Sequence, residues 1–266
     1  MNLILDKLLA ILRRDLLTAI RQRSGAAMIF GGLFIELAAF YYLARAIGPG
    51  FHPGGVQYFP FLLVGTGVYT FFLMSAQAFL NAVQQAQQTG TLEVLMITST
   101  PPAELLVLSA TSAFAGSMIS LLAYLFAGVA IFRAAIHVNL FSCAAAMILS
   151  LVVALAIGVA AATVQIAIQK GSALIWLLGS GLWFLSGTLF PVQSLPRPLE
   201  LLARAVPLSY AIDAMRGALI EGQSVSAMAP TLAALAAFAV VMLPLALGGL
   251  TLSVRRARQC GTLSSY

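Results

Sequence analysis

Residues 139–168 read NLFSCAAAMILSLVVALAIGVAAATVQIAI, without one charged side chain. A helix needs roughly 20 mostly apolar residues to cross the hydrocarbon core of a bilayer. This stretch exceeds that length, enough to tilt or to project beyond the lipid. Working outward from it, five more stretches qualify: about 26–47, 58–83, 104–132, 172–190 and 228–252. Composition agrees. Of the 266 residues, 61% are hydrophobic and 8% charged, and the mean hydropathy is +0.99. An ordinary globular domain is near half apolar and about a quarter charged. Twenty-two charged side chains cannot cover a water-exposed surface on 28.0 kDa, so lipid must solvate most of it. A cytosolic enzyme, a secreted disulfide scaffold and a disordered chain are excluded. The expected fold is an all-α integral membrane protein with six transmembrane helices in a single domain over residues 1–266.

The segment 191–221 is apolar too, but Pro191, Pro196, Pro198 and Pro207 break it, and it carries Arg197, Glu200, Arg204, Asp213, Arg216 and Glu221. Six charges and four prolines do not cross hydrocarbon as one helix. The segment reads as a re-entrant helical hairpin before the last span, dipping partway in and buried against protein. Asp213 and Arg216, three apart on a short helix, are expected to pair with each other rather than with a substrate.

An even number of spans places both termini on one side. That side carries Lys7, Arg13, Arg14, Arg21, Arg23, Lys170, Arg255, Arg256 and Arg258; the other carries Arg45, Arg133, Arg197, Arg204 and Arg216. Nine basic residues against five put both termini in the cytoplasm of a multi-pass plasma (bacterial inner) membrane protein. Within residues 1–24, Leu5, Leu8, Leu9, Leu12, Leu16 and Ile20 share one helical arc and Lys7, Arg13, Arg14 and Arg21 the opposite one. That pattern is an N-terminal amphipathic helix lying in the interface, with Asp15 as its one misfit. A signal peptide would have an uninterrupted apolar core and a small-residue cleavage site. The net charge of +6 does not indicate nucleic acid, because basic residues flank apolar runs instead of forming a stripe.

Catalytic chemistry has no visible seat. A phosphate-cradling Walker loop needs Gly-Lys followed by Ser or Thr, and the only lysines, Lys7 and Lys170, follow Asp6 and Gln169. No nucleophile–base constellation is apparent, and no metal site is expected, since His52 and His137 are the only histidines and both flank apolar runs. Glu36 is the only acid deep within a span. It has two readings, a pathway or ion-sensing carboxylate and a neutral or hydrogen-bonded structural group.

Between the second and third spans, residues 84–103 contain no Lys or Arg although topology makes them cytoplasmic. Thr91 is placed to cap a short helix, Glu93 suits its first turn, and Pro101 and Pro102 end it. A short capped helix with an apolar face, Leu92 to Ile97, suits a protein groove better than an anionic lipid surface.

Thr89-Gly90-Thr91-Leu92-Glu93-Val94-Leu95 followed by Thr100-Pro101 resembles the first cytoplasmic loop of the ABC-2 family of ATP-binding-cassette permeases. Leu185-Ser186-Gly187-Thr188-Leu189-Phe190-Pro191, then Leu195-Pro196 and Pro207-Leu208-Ser209-Tyr210-Ala211-Ile212-Asp213-Ala214-Met215-Arg216, is similar to that family's segment before the last span. Gln84, Gln85, Gln87 and Gln88 depart from it, because many members carry charges there.

The resemblance implies the permease subunit of an ABC exporter for drugs, lipids or lipid-linked glycans. In that family two permeases pair, identical or related, and each docks on a separate ATPase subunit that binds ATP and Mg. This chain would bind no cofactor and carry no catalytic residue. Gly90, Thr91, Leu92, Glu93, Val94 and Leu95 would form the coupling helix. Gly187, Pro191, Pro196, Pro207, Asp213 and Arg216 would mark the outer re-entrant segment. A pathway between paired first, second and fifth spans would be lined by Glu36, Tyr41, Tyr69 and Phe72, although aromatics are more often packing or interface anchors. The alternatives are an ATPase-independent channel or carrier, which would want charged rings or several buried acids, and a non-transporting membrane scaffold.

Overall fold

The computed structural model describes residues 23–48, 50–88, 102–134, 136–168 and 171–260. Those residues are helical and contain no strand. Six longer helices fall on the six apolar stretches: α1 (Arg23–Ile47), α2 (Tyr58–Gln88), α3 (Pro102–Ala130), α4 (Leu140–Ile168), α5 (Gly171–Leu185) and, after a broken segment, α8 (Ala229–Cys260). The broken segment is two short helices, α6 (Arg197–Arg204) and α7 (Pro207–Leu219). Among the described residues, three stretches are long and apolar enough to cross a membrane: Tyr58–Asn81, Leu140–Ala167 and Ala229–Ser253.

Proline and glycine set the boundaries around α6 and α7. Pro198 and Pro207 sit in the first turns of α6 and α7, where the missing N–H costs nothing. α5 ends at Leu185, five residues short of the expected 190, because Gly187 takes a left-handed φ of 78° that a helix cannot continue through.

α2 is the hub. It packs against α1, α3, α4, α5 and α7, and 78% of its apolar window is buried inside the protein, against 33% for α4 and 22% for α8. Its buried face, including Val64, Val68, Phe71, Phe72 and Phe79, joins the inner faces of α4, α7 and α8 in one continuous core. α4 packs most extensively on α8, and both leave their outer faces exposed, as at Phe141, Ile148, Val240 and Leu245. A smaller aromatic cluster holds α1 in place: Tyr41 meets Phe59 at 5.4 Å and Phe132 at 5.1 Å between ring centroids.

The connections between α1 and α2, between α3 and α4, and between α5 and α8 gather at one end of the bundle. Backbone N–H groups of His137 and Asn139 donate to the Leu219 and Ala218 carbonyls at the end of α7. The Ser142 hydroxyl donates to the Gln223 carbonyl at 2.7 Å. Residues 1–22 and 89–101 lie outside the described residues, so the N-terminal amphipathic helix and the segment Gly90, Thr91, Leu92, Glu93, Val94 and Leu95 have no structural description here.

Candidate functional site

Two features of the connected end and the adjoining core distinguish this bundle from a stack of apolar helices. The first is Arg216. α7 presents it inward from its third turn, where 6% of the residue remains exposed. A guanidinium carries five N–H donors and no acceptor, so burying it demands several acceptors at once. The structure supplies carbonyls from two distant elements. Nη2 donates to the Phe61 carbonyl of α2 at 3.0 Å and to the Thr188 carbonyl at 3.0 Å. Nη1 donates to the Gly187 carbonyl at 2.9 Å and Nε to the Phe61 carbonyl at 3.3 Å. The flat cation also lies over the Phe61 ring, 3.4 Å from its centroid, an attraction that strengthens when desolvated. Burial disfavours the charged form of Arg216, and Asp213 partly restores it.

Glycines make room for this clasp. A Cβ on Gly65, one turn along α2 from Phe61, would strike the Arg216 guanidinium and come within 2.8 Å of the Thr188 carbonyl oxygen. A Cβ on Gly187 would sit 2.8 Å from a Val192 methyl, in a conformation that L side chains rarely adopt. Between them Ser186 and Thr188, both fully buried, share a hydroxyl hydrogen bond of 2.7 Å. The expected Asp213–Arg216 pair exists at 3.9 Å, but it is the weakest of the contacts. Asp213 is half exposed, and the carbonyls do most of the holding.

The second feature is a half-open cavity of about 270 Å³ beside the core, lined by α2, α4, α5, the start of α7 and Met242 of α8. Its wall is almost wholly apolar: Tyr69, Phe72, Leu73 and Ala76 from α2 face Ile157, Ala161 and Leu182, with Pro207 and Leu208 closing one side. The Tyr69 hydroxyl donates to the Gly179 carbonyl of α5 at 2.9 Å, so the ring is fixed and its polar tip satisfied. Beside it an open groove of about 760 Å³ runs between α2 and α5, lined by Tyr69, Gln77, Trp176 and Trp183. Tyr69, Leu73 and Gly179 line both the cavity and the groove.

Of the four pathway candidates, Tyr69 and Phe72 therefore come together and the other two do not. Tyr41 lies at the connected end, in the aromatic cluster with Phe59 and Phe132. Glu36 is half-buried on α1 near the Tyr124 phenol of α3, and it lines neither the cavity nor the groove. Pro191 and Pro196 flank the short turn Val192–Ser194 that joins α5 to α6, while Pro207 both starts α7 and lines the cavity. Residue spacing could not have revealed the Arg216 acceptors. They are main-chain groups up to 155 residues away, whereas the acid three residues away was the visible partner.

Among the described residues no three His, Cys, Asp or Glu side chains cluster to hold a metal ion. The chemistry on offer is apolar accommodation and a rigid clasp. The profile of a protein family described as ABC-2 type transporter matches residues 6–220, from before α1 to the end of α7. Among curated proteins, none matches.

Proposed function

The chain belongs to the ABC-2 type transporter family and is thus a permease component embedded in a membrane; on that premise we propose that it is the permease subunit of an ABC exporter driven by a separate ATPase. The observation that carries this reading is the extent of the match, which takes in both the 84–103 loop and the segment containing Arg216. The substrate would be a drug, a lipid or a lipid-linked glycan, moved outward across the plasma (bacterial inner) membrane. ATP and Mg would be bound by the partner, and a second permease, identical or related, would complete the pathway. All six long helices would span, both termini would be cytoplasmic, and α6 and α7 would dip into the membrane from the outer side without crossing.

The architecture suggests how the parts would cooperate. Residues 89–101 connect the end of α2 to the start of α3, so a force applied by an ATPase at Leu92 and Leu95 would enter the bundle through α3 and through the 31-residue α2. A helix of that length reaches about 45 Å. Along the way it carries Phe72 and Tyr69 in the cavity wall and Phe61 and Gly65 in the Arg216 clasp. Displacing α2 would then alter the cavity and the outer segment together. Nucleotide shifts such an equilibrium only by its differential affinity for the two conformations. The low polarity of the cavity wall suits an alkyl or aromatic portion of the substrate.

Replacing Leu92 and Leu95 together by Asp tests the docking segment. The ATPase should fail to co-purify with the double variant, while Glu93→Ala should weaken the complex only modestly, by roughly 0.5–2 kcal/mol for one capping interaction. Undiminished co-purification with the Asp pair would overturn the coupling assignment.

A further inference from the structure

A half-open pocket of mixed polar and apolar lining at the connected end has no part in the cavity, the clasp or the coupling loop. It has a volume of about 490 Å³ and lies between the last turn of α1 and the first residues of α2, within the range of small-ligand sites. Arg45, His52, Gln57, Tyr41 and Tyr58 supply its polar groups, and no acidic residue lines it. Arg45 is exposed and has no carboxylate partner among the described residues. Two aromatic contacts stiffen the walls: Phe51 meets Tyr58 edge-on at 4.9 Å, and Tyr41 meets Phe59 edge-on at 5.4 Å.

We propose that this pocket binds a phosphate group. An uncompensated guanidinium fork matches phosphate oxygens in pairs, and Gln57, His52, Tyr41 and Tyr58, which line the same pocket, carry further donor groups. The volume exceeds that of a phosphate, so the aromatic walls would accommodate the adjoining glycerol or sugar carbons. The phosphate comes either from the headgroup of an amphiphile or from free inorganic phosphate. Binding here does not depend on export, and it is read without transport.

The test uses the detergent-solubilised full chain, with retained ligand measured by native mass spectrometry. The probes are short-chain phosphatidylglycerol, the matching diacylglycerol without phosphate, and inorganic phosphate. One phosphatidylglycerol should be retained saturably and the diacylglycerol should not. Arg45→Gln should weaken retention about tenfold, the loss of one charge-assisted hydrogen-bonding group, and Arg45→Lys should recover part of it. Arg197→Gln removes an exposed cation outside the pocket and should change nothing. Displacement of the lipid by inorganic phosphate would assign the pocket to the free ion, and failure to displace it would assign the pocket to the headgroup. Equal retention of diacylglycerol, undiminished binding by Arg45→Gln, or an equal loss in Arg197→Gln would overturn the proposal.

Discussion

α1 presents Phe34, Ile35, Tyr42, Leu43 and Ile47 to its surroundings and fully buries only Leu37 among its described side chains. α7 is half as long and carries Asp213 and Arg216, yet ten of its thirteen residues are buried. By the logic of a soluble protein the two would be exchanged, with the apolar helix inside and the charged one at the surface. If α1 and the 186–191 turn lie in the membrane as proposed, the outer solvent is itself apolar, and hydrophobicity would not pull α1 inward. What must be buried is irregular backbone, which hydrocarbon cannot satisfy. The turn at 186–191 exposes carbonyls, and α7 brings a guanidinium to meet them. On that reading the clasp solves a backbone problem, and it ties α2, the 186–191 turn and α7 together where α1 is held only along one side.

The largest effect expected from breaking this contrast is at Arg216. Arg216→Ala leaves the Phe61, Gly187 and Thr188 carbonyls without that donor and should cost about 3–5 kcal/mol, since bonds to a charged donor contribute roughly 1.5–3 each and do not simply add. The midpoint of thermal unfolding in detergent measures it. Arg216→Lys should recover only part, because an ammonium lacks the planar fork.

A pair of glycine substitutions follows, with opposite signs. Gly65→Ala drives a methyl into the clasp and should destabilise by about 1–3 kcal/mol. Gly31→Ala in α1 meets nothing within 4 Å and should stabilise by roughly 0.5–1 kcal/mol through helix propensity. If Gly31→Ala instead disrupts a dimer, the open side of α1 is an interface between permeases, and the contrast with α7 belongs to the single chain only. An effect of similar small size is expected at the cavity wall. Tyr69→Phe removes one hydrogen bond to the Gly179 carbonyl and should lower stability by about 0.5–1.5 kcal/mol, measured in the same unfolding assay.

Helix placement was legible because a run of apolar side chains is a local signal. The expected stretches 58–83 and 139–168 correspond to α2 and α4, and α2 extends to Gln88 because glutamine tolerates a helix well. The break before α8 was legible from Pro191, Pro196, Pro198 and Pro207 for the same reason. The clasp was not, because nothing in a sequence marks the carbonyls of Phe61, Gly187 and Thr188 as acceptors. The pathway candidates were half legible. Tyr69 and Phe72 are three apart on one helix face and share a cavity, whereas whether Glu36 or Tyr41 joins them depends on how α1 docks, which apolar residues specify weakly. Arg45 and His52 read only as residues flanking apolar runs, since the pocket they share is created by the turn between two helices.

The most direct test of the account is affinity purification of the chain from its native membrane, with identification of co-eluting proteins and an ATPase assay on the eluate. The account predicts a stoichiometric soluble subunit with a Walker loop that hydrolyses ATP in the complex. A chain that elutes alone after gentle extraction, without ATPase activity, would contradict it and leave a channel, a carrier or a scaffold.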